Sequence, residues 1–585
     1  MSKKQISGKK NIFWDIVFVL VLAMLPFLHL FNGVEFTDTA YSLGNFENLK
    51  NMNLTWTVAV FWANLLGKMF TLLPMGHTWI GMKFYTTLIP VATALISYFT
   101  LKKYIPRILA FAGEVFAIAL LWCPTTLVYN YLTYLLFTIA VILLVKSLEK
   151  ESKILLMAAG AVIAFNVFVR FPNVSEVILI VVIWLDGMIN KRKKSVTIRN
   201  TFLYLCGFLA GILINFLVIT VMYGFDSIPH MVVSLFAMTG ENKGYSPIGM
   251  IMAMLESYYS YTKSFVLLIG LTLVAFMLGY VTKKHWLKIA ICVIQILMFS
   301  MFVVWGLFNE TPVFTLDYSK FESMEFWLAT FLILCNIFSV WSLLRKRTQN
   351  VHKLWALSVL VIVWITPIGS NNSLYPAYNN LFLVAPIVLY MIWEELFKGR
   401  NFYELLDMES KYSMIASRIT IFLLIVCTLF QGIMFGVTFV YKDSGFPFKS
   451  RYAIENNEVL KGMHTNAENA ALIYELTSYA KNNGYENRKA IFYGDIPGLE
   501  YILKMPCAIS HTWPDQGSFG NDEFESDINN LPECPIVFVN EEVCSDIFDL
   551  TENATQKECI LSEYLTVNNY ILKVRIRNIA IYSAD

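Results

Sequence analysis

Apolar runs long enough to cross a bilayer recur from residue 12 to residue 440 of this chain, and a water-soluble fold could not bury them all. They fall near 12–31, 79–101, 108–123, 126–145, 154–170, 174–190, 200–223, 264–282, 286–308, 325–344, 354–368, 379–397 and 414–440. A bilayer core takes about 20 residues of helix, so the pattern predicts about thirteen transmembrane helices. Only 15% of the residues are charged, against roughly a quarter in ordinary soluble domains. The aromatic share of 15% suits helix ends in the interfacial belts. A net charge of +2 gives no argument for nucleic acid. Asn32-Gly33-Val34-Glu35 after the first run lacks the small-residue pair of a signal-peptidase site, so that run is read as a retained helix.

Short cytoplasmic loops collect Lys and Arg. With the N-terminus inside (Lys3, Lys4, Lys9, Lys10), every second connection should be basic, and each is: Lys102, Lys103 and Arg107; Lys146, Lys150 and Lys153; Lys191 to Lys194; Lys283 and Lys284; Arg345 to Arg347; Lys398, Arg400 and Lys411. The alternate loops, and everything after Tyr441, are then expected outside. Counting the apolar stretch 56–73 as a span would invert every later loop. It is read instead as one or two helices lying along the outer surface, with Lys68 at the interface. The first outer loop then runs over 32–78.

The expected fold is mainly α: a polytopic membrane domain over 1–442 and a small extracytoplasmic α/β domain over 443–585. In the latter the apolar runs shrink to strand length (Ala490 to Tyr493, Pro535 to Val539, Tyr570 to Ile576) and alternate with helix-like stretches such as Ala467 to Asn482. Five cysteines (Cys123, Cys206, Cys292, Cys335, Cys427) lie in apolar spans as small hydrophobes. Cys507, Cys534, Cys544 and Cys559 lack C-x-x-C spacing, which argues against zinc and allows one or two disulfides in an oxidising compartment.

The stretch with most chemical content is Glu35-Phe36-Thr37-Asp38-Thr39-Ala40-Tyr41. It puts a carboxylate just past the first helix, at the level where a lipid-linked substrate presents its headgroup. Asp38 could equally cap a helix or a turn. A first helix, an outer loop opening with Asp38 and Tyr41, a surface helix ending near Gly76, and Lys83 entering the second span together resemble the start of the GT-C superfamily. These are membrane glycosyltransferases that use polyprenyl-phosphate sugars, among them the protein mannosyltransferase and aminoarabinose transferase groups. The Asp-Glu pair of the mannosyltransferase branch stands here as Asp38-Thr39.

The resemblance implies that Asp38 is the general base, taking the proton of an acceptor hydroxyl in a transfer expected to invert the anomeric centre. It also implies cations for the leaving phosphate, with Lys83 and Arg170 as candidates. Arg170, in Phe168-Val169-Arg170-Phe171-Pro172-Asn173, stands on the side opposite to the positive-inside rule. A guanidinium there can clamp phosphate or snorkel to lipid headgroups. Lys83 carries the same two readings. The expected pocket takes in Tyr41, Asn173, His230, Asn371 and Asn372. His230 belongs to the outer loop 224–249, with Asp226, Glu241, Lys243 and Tyr245, where an ordinary hydrogen-bonding role is the commoner one; the short polar loop of Asn371 and Asn372 suits sugar hydroxyls and equally a plain turn. A third outer stretch carries Glu310 and Asp317.

No residue spacing names a metal; a divalent ion has no support in the sequence. The expected partners are a polyprenyl-phosphate sugar donor, an envelope glycan, lipid or protein acceptor, and the bilayer. N-x-S/T triplets at Asn53, Asn173, Asn309, Asn371 and Asn553 all fall on the expected outer side. The Lys, Asn and Ile bias resembles a low-GC bacterial coding sequence, which points to a bacterial plasma membrane. The competing function is a transporter or flippase of a lipid-linked envelope component, which would show repeats and mid-membrane charge; Glu114 is the clearest such charge. A scaffold or sensor with a polymer-binding outer domain is the third.

Overall fold

The computed structural model describes residues 3–241, 247–282, 284–305, 314–370, 372–398, 411–443, 451–517, 519–544, 546–552 and 554–584. The chain is a mainly helical, multi-pass membrane protein with a small sheet domain near its C-terminus. Six helical stretches among the described residues are long and apolar enough to cross a membrane: Trp79–Leu101, Val128–Lys150, Phe171–Ile189, Lys194–Tyr223, Phe321–Leu344 and Arg418–Thr438. Shorter apolar helices include Ile12–Phe27, Lys153–Val167, His285–Met301 and Asn350–Ile365.

Local signals set several boundaries. Thr78 caps Trp79–Leu101 by accepting the Gly81 N–H at 3.2 Å. Stretch 56–73 breaks at Val60 into Leu54–Ala59 and Phe61–Thr71; eleven helical residues reach only about 17 Å, too short to span. Three expectations change in detail. The 174–190 run starts as a 3-10 helix, Phe171–Leu179, behind Pro172. The 379–397 run is interrupted after Tyr375–Asn379 and resumes as Val384–Trp393. Residues 227–241, expected within a loop, form the helix Ser227–Glu241, in which Ile228, Met231, Val232 and Leu235 pack in one cluster with Val58 and Ala59 of Leu54–Ala59.

The last apolar helix, Lys411–Thr438, packs against Arg107–Leu120. A Cβ on Gly436 would stand 2.5 Å from the Ala119 Cα, so only glycine admits that approach. This contact fixes where the chain leaves the bundle.

In the C-terminal region β1 (Tyr452–Ala453) pairs antiparallel with β2 (His464–Thr465). A second sheet has the order β3-β4-β6-β5, with β3 (Ala490–Tyr493) parallel to β4 (Ile536–Asn540) and β6 (Ile579–Ser583) antiparallel to both β4 and β5 (Ile571–Ile576). Side chains alternate between faces: Ile491, Tyr493, Val537 and Val539 pack in the domain's own core, while Phe492 and Phe538 join the core that continues into the membrane helices. Cys507 and Cys544 are buried thiols, and Cys534 and Cys559 are exposed ones; all four are free.

This region is sewn to the loop 32–78 and its flanks by backbone. Gly33 N–H donates to His464 O at 2.9 Å, His464 N–H to Phe31 O at 2.8 Å, and Trp79 N–H to Val459 O at 2.9 Å.

Candidate functional site

Asp38 is the first residue of a ten-residue helix, Asp38–Glu47, in the loop 32–78. Its side chain does not cap that helix. Capping falls to Glu35, whose carboxylate accepts the Thr37 N–H and Thr37 hydroxyl, each at 2.6 Å, and also the Thr39 N–H. Glu35 is buried, and burial, with the Asp38 charge beside it, raises its pKa. Asp38 is left to face outward from the helix start. Its Oδ2 accepts the Tyr441 hydroxyl at 2.7 Å and the Lys442 ammonium at 2.8 Å.

The last membrane helix delivers these two partners. Past Thr438 the chain turns so that the Tyr441 ring stacks on Trp122 with centroids 5.0 Å apart. Lys442 then adopts a left-handed backbone, φ 50°, and its Nζ donates to Thr37 Oγ1 at 2.7 Å as well as to Asp38. Burial lowers the Lys442 pKa, but the Asp38 carboxylate and then Glu35 outweigh it, so Lys442 stays a cation. The ion pair is open to solvent: the Asp38 and Lys442 side chains are 33% and 46% exposed.

Behind the pair lies a cavity of about 30 Å³ bounded by Glu35, Thr39, Lys83, Trp122, Cys123 and Tyr441. That space holds a water or two and no sugar. Lys83, only 4% exposed, donates to Asn32 O at 2.6 Å.

The other side of the helix Asp38–Glu47 is gripped by the C-terminal domain. Tyr41, Asn45 and Asn48 follow one another at helical spacing and so share a face. Tyr41 OH meets His511 Nε2 at 3.3 Å, Asn45 Oδ1 accepts the Thr512 hydroxyl at 3.1 Å, and Asn48 Nδ2 donates to Glu500 Oε1 at 2.6 Å. At the helix entrance Gly498 N–H donates to Phe36 O at 2.7 Å. A Cβ on Gly498 would stand 2.2 Å from that of Ala40. Burial lowers the His511 pKa to about 3, so the ring is neutral. Its Nδ1 lies 3.0 Å from Trp513 O and 3.2 Å from the Trp513 backbone N, and its Nε2 meets Tyr41 OH. Burial raises the Glu500 pKa to about 7.

Asp495, at the end of β3 with φ 57°, completes the rim. Its Oδ1 accepts the Trp513 indole N–H at 3.0 Å, and its charge acts on Lys442. Asp515 accepts the backbone N–H groups of Gly494 and Asp495 at 3.0 and 2.9 Å and so shapes that turn.

Of the residues singled out in the sequence, Asp38, Tyr41 and Lys83 gather on or next to the loop 32–78. Arg170 donates to Gly369 O at 2.6 Å beside Tyr134 and Glu176. It makes no direct contact with Asp38 among the described residues. Asn173 is buried and donates to Thr133 Oγ1 at 2.9 Å and Asn166 O at 3.0 Å. His230 is exposed on the helix Ser227–Glu241. Asn372 takes part in a turn, its N–H on Ser370 Oγ at 3.2 Å. Asn371, Lys243, Tyr245 and Glu310 lie outside the described residues.

Sequence reasoning missed Tyr441, Lys442 and Glu500. Lys442 had one readable signal, a cation directly after the last span on the expected outer side. Among the described residues no three His, Cys, Asp or Glu side chains converge as a metal-ligand set.

No family model matches the sequence, and no curated protein matches it. Solved structures do resemble the fold. The archaeal oligosaccharyltransferase AglB from Archaeoglobus fulgidus, in complex with an inhibitory peptide and a dolichol-phosphate, aligns with TM-score 0.46 and 12% identity over 91% of this chain and 70% of its own. ArnT from Cupriavidus metallidurans, bound to undecaprenyl phosphate, aligns with TM-score 0.48 and 9% identity over 98% of each chain.

Proposed function

We propose that this protein is an integral membrane glycosyltransferase that moves a sugar from a polyprenyl-phosphate donor to an acceptor outside the cytoplasm, with Asp38 as the general base. The observation that carries the reading is the placement of Asp38. It is a carboxylate relieved of helix capping by Glu35, set on the rim where the first outer loop meets the end of the last membrane helix, with one oxygen bound and the other unengaged among the described residues. That free oxygen is where an acceptor hydroxyl would give up its proton as its oxygen attacks the anomeric carbon. Departing phosphate needs positive charge nearby, for which the sequence offers Lys83 and Arg170 as candidates. Tyr41, Asn173, His230, Asn371 and Asn372 remain the proposed pocket residues. The acceptor would approach over the C-terminal domain, along the rim made by Asp495 and Trp513. In this proposal residues 1–442 form the transmembrane body and 443–585 the outer domain, in a bacterial plasma membrane. The test is transfer of label from undecaprenyl-phosphate-linked sugars by the purified protein, wild type against Asp38→Asn.

One observation favours a transporter instead. Glu114 is fully buried within the helix Arg107–Leu120, and ionisable groups at membrane depth mark ion pathways in transporters. Under that reading Glu114→Gln abolishes function and Asp38→Asn spares it. The enzyme reading expects the reverse.

A further inference from the structure

We propose that Lys442 is the cation that holds the leaving phosphate, and that its ion pair with Asp38 is the resting state which donor binding exchanges. The proposal rests on the glycosyltransferase reading and adds a catalytic residue to it.

The argument starts from reach. In an inverting transfer the base and the leaving-group cation flank the anomeric carbon from opposite faces, so the cation must lie within one long side chain's swing of the base and be free to leave it. Of Lys83, Arg170 and Lys442, only Lys442 touches Asp38, at 2.8 Å. The ammonium of Lys83 is turned onto Asn32 O in a buried cavity, and the guanidinium of Arg170 reaches Gly369 O. Lys442 is nearly half exposed, and its acceptors are side chains, Asp38 and Thr37, which a phosphate oxygen can replace. Its position is fixed by the Tyr441 ring on Trp122, so the backbone stays in place while the long side chain swings.

The charges balance. A polyprenyl-phosphate sugar carries one negative charge on its phosphodiester. During transfer the acceptor oxygen forms its bond to the anomeric carbon, the bond from that carbon to the phosphate oxygen breaks with its electron pair on the phosphate, and the acceptor proton goes to Asp38. The leaving polyprenyl phosphate gains a second negative charge, which a cation stabilises more in the transition state than in the ground state. When Lys442 turns from the carboxylate to the phosphate, Asp38 Oδ2 gives up its ammonium partner and keeps the Tyr441 hydroxyl. Donor binding thus unmasks the base it needs.

The test uses the full-length protein in phosphatidylcholine nanodiscs, with undecaprenyl phosphate as probe and undecaprenol, which lacks the phosphate, as control. The wild type should prefer undecaprenyl phosphate. Lys442→Gln should weaken undecaprenyl phosphate binding by about 10-fold or more, in line with the loss of one charge-assisted hydrogen bond, and leave undecaprenol unchanged. Lys442→Arg should restore most of the loss. Asp38→Asn, which removes the competitor for the ammonium, should tighten binding several-fold; a purely structural ion pair predicts no gain. Lys442→Gln binding undecaprenyl phosphate like the wild type overturns the proposal and leaves the transferase reading standing. A wild type that binds the two lipids equally overturns both.

Discussion

The carboxylate of Glu500 occupies the space a side chain on Gly44 would need: an added Cβ would lie 2.6 Å from Oε2. These residues, one on the helix Asp38–Glu47 and one on the C-terminal domain, lock two parts of the chain that are far apart in sequence. The lock holds the helix whose first residue is Asp38, so the C-terminal domain sets the direction in which that carboxylate points.

Gly44→Ala should therefore loosen the docking by about 1–3 kcal/mol, the usual cost of overpacking. Glu500→Ala should cost a similar amount, because it strips the acceptor from Asn48 Nδ2 and Cys507 N–H. Hydrogen exchange over residues 38–48 reads this directly. Both variants should speed exchange there and leave the strands β3 and β4 protected; unchanged exchange in both would mean the contact does not hold the helix.

Docking should also depend on pH. Burial raises the Glu500 pKa from 4.5 to about 7, so the folded protein holds a proton there that the unfolded chain releases. The stabilising contribution is fully present below the unfolded value, falls as pH rises between about 4.5 and 7, and is level above. The span amounts to at most about 3 kcal/mol. Glu35 and Asp515 shift in the same direction, so the contrast must isolate Glu500. Glu500→Gln should lose less thermal stability than the wild type between pH 5 and pH 8, and equal slopes would contradict the shift.

Much of the fold was legible because local signals bound its elements. The span 79–101 and the stretches Ala467 to Asn482 and Ala490 to Tyr493 coincide with observed elements, the two helices opened by the caps Thr78 and Asn466. The strand β6 was not read, although β3 and β4, equally buried on both faces, were. Asp38 was legible as a loop carboxylate after a helix. Its partners were not: Lys442 is 404 residues away, and no local pattern tells which cation a carboxylate will meet. Nor could spacing divide the work between Glu35 and Asp38, because either could cap the helix they precede or begin.

The six basic connections lead us to expect everything after Tyr441 outside the cytoplasm. A reporter fused after Ser444 should be active only if it folds and works outside the cytoplasm. Activity there of a reporter confined to the cytoplasm would contradict the arrangement.

The most direct measurement is the rate of sugar transfer from a panel of undecaprenyl-phosphate-linked sugars, wild type against Asp38→Asn. The substitution keeps the size of the side chain and removes its basicity. Transfer should fall by about 100-fold or more, as for loss of a general base, with protein level and membrane insertion unchanged. Full activity in Asp38→Asn would contradict the account.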